Sequence, residues 1–136
     1  MKHSKVKSPP REDLAKLVTE IGGETVLFSI LKDFYEIMSK DILIGFFFEK
    51  HDLEHIATMQ GKFILMVAGL AKTFEGKGPA TAHTSLPPIL TGHFDRRLVI
   101  LRELLKSRKL TEAQIGTWVQ FEESFRKIIV QKVLKK

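Results

Sequence analysis

Apolar positions recur at helical spacing along most of the chain, and no stretch alternates with the two-residue period of a half-buried strand. From Thr25 to Met38, the residues Leu27, Ile30, Leu31, Phe34, Tyr35 and Met38 share one face of one helix, which turns Tyr35 inward. From Leu53 to Val67 a second stripe runs Leu53, Ile56, Gln60, Phe63, Ile64, Val67, with an amide at its centre. The pattern predicts that Gln60 is buried as well. An unsatisfied buried polar group costs about 1 to 3 kcal/mol, so the stripe implies a partner for this amide. A phenol on a facing helix is one candidate, and a bound ligand is another.

Start and stop signals divide the rest into further helices. Residues 1–10 are polar and end in Pro9-Pro10, which predicts a disordered or extended basic tail ahead of one domain over 11–136. Arg11 to Ile21 forms a short helix with Glu12 and Asp13 in its first turn and Gly22-Gly23 at its end, and the second helix runs from Glu24 to Ser39. The connection Asp41 to Glu49 holds three consecutive phenylalanines, and a loop this apolar lies against something large and flat or sinks into a core. Asp52 caps a third helix that continues to about Lys72, with Gly69 as a weak point. Gly76, Gly78 and Pro79 make a loop, a helical turn follows over Ala80 to Thr84, and Pro87-Pro88 forbids its continuation. The next helix spans Thr91 to Ser107 with Phe94, Leu98, Leu101 and Leu105 inward. Thr111 and Gln114 form a capping box for a last helix to about Leu134, with Ile115, Trp118, Phe125 and Ile129 inward.

Composition narrows the chemistry. With 136 residues and 43% hydrophobic content the chain makes one domain with a substantial core. Its longest strongly apolar run, Ile42 to Phe48, is far short of the roughly 18 to 20 residues of a membrane span, and no signal-type apolar region follows Met1, so a cytoplasmic location is expected. The absence of cysteine excludes disulfides, thiolate metal sites and thiol catalysis, and leaves histidine, carboxylate or a prosthetic group to hold any metal. Of the net charge of +6, Lys2, Lys5, Lys7 and Arg11 account for four, which leaves +2 for the rest. No aromatic residue is interleaved with these cations, so the tail reads as a solvated terminus and no specific nucleic-acid partner is expected. Oligomeric state has no signature in the chain.

The segments Ile21-Gly22-Gly23-Glu24, Phe34-Tyr35, Phe47-Phe48 and Gln60 with Phe63 stand in a register that resembles the distal half of a truncated (2-on-2) haemoglobin, and the resemblance extends from about Leu14 onward. It implies an all-α, two-on-two helical sandwich around a haem pocket, holding one haem b and reversibly binding oxygen or another small diatomic at a five-coordinate iron. His83, followed by Leu86-Pro87-Pro88-Ile89 and then His93-Phe94-Asp95, resembles the proximal segment of the family's third group, which implies His83 as the iron ligand. Tyr35 and Gln60 correspond to the distal hydrogen-bonding pair. Oxygen on ferrous haem carries partial negative charge on its outer atom, so such donors retain it, while carbon monoxide gains much less. Ile56 matches the position guarding access to the iron, Phe48 would stack on the macrocycle, and Phe63 would line the distal side. For Phe48, Phe63 and Trp118, plain core packing is an equal reading. Among the other histidines, His3 lies in the tail, His51 and His55 fall off the apolar stripe, and His93 matches a structural position. The Gly22-Gly23 pair with Tyr35 and Gln60 looks like the first group, and the His83 segment like the third.

Arg97 departs from the pattern, because the third group has tryptophan there and the first a small apolar residue. It sits at the edge of its stripe, so it either reaches outward or points into the pocket. Pointing inward, it would meet a haem propionate, an anionic ligand such as nitrite or hydrosulfide, or a cavity put to another use. Lys62, Lys72 and Lys77 are the other propionate candidates. Storage, sensing, nitric oxide dioxygenation and peroxidase-like turnover would share one pocket, and the oxidative routes call for a separate reductase. Two alternatives stand beside this reading: a haem-free globin fold serving as a binding or regulatory module, motivated by Arg97, and a basic helical protein that binds nucleic acid through its tails.

Overall fold

Pro10 opens the first helix, α1 (Arg11–Ile21), with its carbonyl accepting from the Asp13 and Leu14 amides at 3.0 and 3.2 Å. The computed structural model containing it describes residues 6–72 and 87–130. Residues 6–10 are extended and lie against the body: Pro9 is buried, and Gln120 Nε2 donates to the Lys7 carbonyl at 3.0 Å. After Gly22-Gly23 comes α2 (Glu24–Ser39), which buries all six positions of its stripe, Tyr35 included.

Asp41 then organises the phenylalanine connection. Its Oδ2 accepts from the Leu43 and Ile44 amides at 2.9 and 3.2 Å, and a single 3₁₀ turn, Gly45–Phe48, follows. Phe47 sinks into the core, Phe48 is half-buried and Phe46 stays exposed. Asp52 caps α3 (Leu53–Val67) as expected, accepting from the His55 amide at 3.1 Å. The helix ends at Val67, short of Lys72. Gly69 takes φ +77°, a left-handed conformation open to glycine, and this lets the Gly69 and Leu70 amides turn back onto the Met66 and Leu65 carbonyls.

The helix α4 (Thr91–Ser107) matches its predicted span and inner face. The expected last helix is divided. Its first part, α5 (Glu112–Glu123), carries the Thr111/Gln114 capping box. It stops at Ser124, whose buried hydroxyl donates to the Phe121 carbonyl at 2.6 Å, and a single turn, α6 (Arg126–Ile129), resumes beyond Phe125. A hydroxyl bonding back to its own turn competes with the helical ladder and bends it, which an apolar periodicity does not register. Phe125 and Ile129 are consequently half-buried.

The architecture rests on α2 packed against α3 and on α4 packed against α5, with α1 laid across α2, α3 and α5. α2 also meets α4. Arg97 lies by Phe34 and Met38 while Arg108 reaches Ser29 and Asp33, so α2 and α4 run antiparallel. Leu101, Leu105, Phe34 and Leu31 are fully enclosed where these layers meet, and Trp118 is a core residue at 2% exposure. Among the described residues there is no strand, and no helix is long and apolar enough to cross a membrane.

Candidate functional site

The half-buried flank of α3 results from small residues on that helix. Ala57, Gly61, Ile64, Leu65 and Ala68 turn fully into the core, because Gly61 lets Phe28 of α2 come so close that a Cβ would stand 2.3 Å from its ring. Rolling that way leaves Leu53, Ile56, Gln60, Phe63 and Val67 half-buried. The expectation that Gln60 is fully buried is therefore corrected. Among the described residues its amide makes no hydrogen bond to Tyr35, so the direct phenol–amide pair is absent as well. On the other side of the flank, Phe63 meets Phe125 at 5.6 Å and Phe121 at 6.3 Å between ring centroids.

Tyr35, on α2, is 6% exposed and stands edge-on to Phe48 with ring centroids 5.7 Å apart. Arg97 points inward toward it. The guanidinium carbon sits 4.9 Å from the Phe34 centroid and 5.6 Å from that of Tyr35, within cation–π range of both rings. Arg97 Nε donates to Glu122 Oε1 at 2.9 Å, with the arginine side chain 19% exposed and the glutamate 5%. Burial alone would pull the Arg97 proton affinity down. The charge of Glu122, the Tyr35 phenol and the hydrogen bonds to both outweigh it, so the guanidinium is held charged more firmly than in water. Glu122 Oε2 is fully enclosed and has no hydrogen-bond partner among the described residues.

Glu122 was not among the residues the sequence singled out, although a signal existed. Ile115, Trp118, Val119 and Glu122 follow one another at helical spacing on a single buried face, and an acid at the end of such a stripe needs a partner. Neighbouring ion pairs fasten the surroundings. Arg96 grips Asp41 Oδ1 through Nε and Nη2 at 3.0 and 2.7 Å, tying the phenylalanine connection to α4. That arginine holds the Asp41 carboxyl below its usual range, against the opposing effect of burial and with help from the Leu43 and Ile44 amides. Arg126 stacks on Phe94 and bonds to Asp95 and Glu123.

His93 is structural: its Nδ1 accepts from the Leu90 amide at 3.0 Å, and its ring stands edge-on to Phe46 and Phe47. His51 and His55 are exposed, and among the described residues no group of three His, Cys, Asp or Glu side chains is placed to hold a metal. Lys62 and Lys72 are exposed. His83, Lys77 and the turn at Ala80 to Thr84 lie outside the described residues.

The sequence and the fold find counterparts among known proteins. No family model matches the chain. A group 1 truncated hemoglobin of Tetrahymena thermophila is 27% identical over 108 residues, 79% of this chain and 88% of its own length. One from Tetrahymena pyriformis is 27% identical over 113 residues, 83% and 93% of the two chains. The crystal structure of the T. pyriformis truncated hemoglobin in its Fe(III) form superposes with a TM-score of 0.76 at 27% identity, covering 85% of this chain and 98% of that one. In sequence and in fold the chain is similar to group 1 truncated haemoglobins. The α2/α3 pair laid on the α4/α5 pair is the two-on-two sandwich of truncated haemoglobins, and Arg97 with Glu122 is a charged pair within it.

Proposed function

We propose that this chain is a truncated haemoglobin that holds one haem b and reversibly binds oxygen or another small diatomic at a five-coordinate iron. The observation that carries the reading is the flank of α3. Ile56, Phe63 and Val67 are patterned for burial, yet the described protein only half covers them, and their helix, which also carries the half-buried Gln60, packs against the helix that carries the buried Tyr35. A flat apolar macrocycle suits such a flank, and Glu122 balances the charge of Arg97 so that the pocket floor is neutral overall. The residues therefore fit the group. His83 would ligate the iron, Phe48, Ile56 and Phe63 would contact the ring, and Arg97 is paired through Nε with Glu122. The haem supplies the metal that takes the diatomic ligand. Tyr35 and Gln60 would donate hydrogen bonds to the partial negative charge that oxygen develops there, and the apolar surroundings strengthen those bonds. Oxidative turnover, whether nitric oxide dioxygenation or peroxidase-like, would draw electrons from a separate reductase.

Titration of the purified protein with haemin tests the reading. A Soret band saturating at one haem per chain is expected, with the band shifted or lost in His83→Ala. A protein with intact helices by circular dichroism and no Soret band refutes it. The second reading, a haem-free binding or regulatory module, then takes its place, and the buried Arg97–Glu122 pair is the observation in its favour.

A further inference from the structure

Apolar side chains left in water gather on the connection between α2 and α3. Ile42 is 94% exposed there, and Leu43 and Phe46 are exposed as well. A single exposed leucine needs no explanation, but three large apolar residues within five positions, one of them almost wholly in water, mark an interaction surface. The turn that carries them is fixed, so the exposure does not come from slack. Asp41 holds it through both oxygens: Oδ2 accepts from the Leu43 and Ile44 amides, and Oδ1 is gripped by Arg96 of α4. The Gly45 amide closes the turn on the Asp41 carbonyl at 2.8 Å, and Gly45 lies so near the end of α2 that a Cβ would stand 2.6 Å from the Ser39 carbonyl oxygen.

Shape, backbone and charge together select the occupant. Ile42 stands clear of the protein, a convex tip that a protein partner would have to match with a pocket and that a fluid bilayer accepts without one. The Leu43, Ile44 and Gly45 amides are already paired within the chain, so moving the turn out of water leaves none of the three unsatisfied. Lys40 and Lys50 are exposed at the two feet of the turn. Between them Asp41 is neutralised by Arg96 and Glu49 is the one other acid, which leaves the turn net positive on a chain of net charge +6.

We propose that Ile42, Leu43 and Phe46 form a reversible docking tip for the surface of an anionic phospholipid bilayer. The three side chains enter the boundary of the acyl chains, and Lys40 and Lys50 stay among the headgroups. This binding is independent of the haem reading. It would also orient the protein, because Phe48, assigned above to the macrocycle, belongs to the same 3₁₀ turn as Phe46, so the docked tip sets the candidate pocket beside the bilayer.

Sedimentation of the full-length protein with vesicles tests the proposal, with phosphatidylcholine mixed with phosphatidylglycerol in one arm and phosphatidylcholine alone in the other. Wild type is expected to bind the mixed vesicles. Ile42→Ser/Leu43→Ser changes only exposed side chains and should lower the partition coefficient at least ~30-fold. Lys40→Ala/Lys50→Ala should lower it by about 30-fold on the mixed vesicles and much less on the neutral ones. Ile42→Trp keeps an apolar ring suited to the interface and should bind no more weakly than wild type. Wild type left in the supernatant overturns the proposal. Undiminished binding of Ile42→Ser/Leu43→Ser overturns it too, because the interaction would then be the unspecific adhesion of a basic chain. Sedimentation velocity reads the competing occupant: concentration-dependent association of wild type that the same double variant abolishes assigns the tip to a second copy and overturns the bilayer. None of these outcomes is read from a Soret band, so they stand apart from the haemin titration.

Discussion

Replacing Arg97 by Met removes the guanidinium while keeping most of the apolar stem, and it leaves Glu122 enclosed at 5% side-chain exposure with no counter-charge. At the observed separation of 2.9 Å the attraction is worth about 6 kcal/mol at an effective dielectric constant of about 20. Desolvating the two ions costs several kcal/mol each, so the pair as a whole contributes little net stability. Removing one partner deletes the attraction and retains the other's desolvation. Arg97→Met should therefore lower the stability of the haem-free protein by about 3 to 5 kcal/mol, a large share of the roughly 5 to 15 kcal/mol typical of such domains. Loss of the stacking on Phe34 and Tyr35 adds about 0.5 to 2 kcal/mol. The double variant Arg97→Met/Glu122→Leu should return to within ~2 kcal/mol of wild type, because neither charge is left buried. Equilibrium urea unfolding, followed by far-ultraviolet circular dichroism, measures all four corners of the cycle. A single variant losing less than about 1 kcal/mol, or a double variant no better than the single, would show that the pair is not the buried, mutually dependent unit described.

Three further outcomes follow from the geometry. Asp41 is a carboxylate held below its ordinary range by Arg96, so its stabilising contribution is present above about pH 4 and lost as pH falls through the lower folded value. The gap in urea midpoint between wild type and Asp41→Asn should close on acidification, and a gap independent of pH contradicts the assignment. Gly61→Val places a side chain where a Cβ already lies 2.3 Å from the Phe28 ring, at a cost of about 1 to 3 kcal/mol that Phe28→Ala should partly relieve; thermal melts of the two variants decide it. Tyr35→Phe should speed oxygen release from the ferrous protein by roughly 10- to 100-fold, from a hydrogen bond to a charged acceptor worth about 1.5 to 3 kcal/mol, and leave carbon monoxide nearly unaffected. Equal oxygen release rates in stopped-flow mixing remove Tyr35 from its assigned role.

The stripe of α2 was legible because every residue on it is covered by the chain itself, so hydropathy and burial coincide. α3 was legible as a helix but not in its rotation. Counting large apolar residues selects Ile56, Phe63 and Val67, whereas close approach to α2 selects the small ones, Ala57, Gly61 and Ala68, which a hydropathy pattern passes over. The early end of α3 turned on a left-handed Gly69, and the division after α5 on a serine hydroxyl. Both are backbone effects with little trace in periodicity. Arg97 was recognisable as anomalous, yet its direction depended on an acid 25 residues away on another helix, which the pattern of apolar positions does not link to it.

The disagreement over α3 connects to the chemistry. A helix whose large apolar residues are half-covered while its small residues are buried has two faces patterned for contact, one toward α2 and one toward something else. The buried ion pair puts the Arg97 guanidinium over the Tyr35 ring, and its net contribution to folding is small. What it does supply is a fixed dipole with its positive end against the phenol. A ligand drawn to that phenol would meet this charge in addition to the hydrogen bonds that Tyr35 and Gln60 would offer. That dipole resides in two side chains and not in the two-on-two frame, so the frame alone does not imply it.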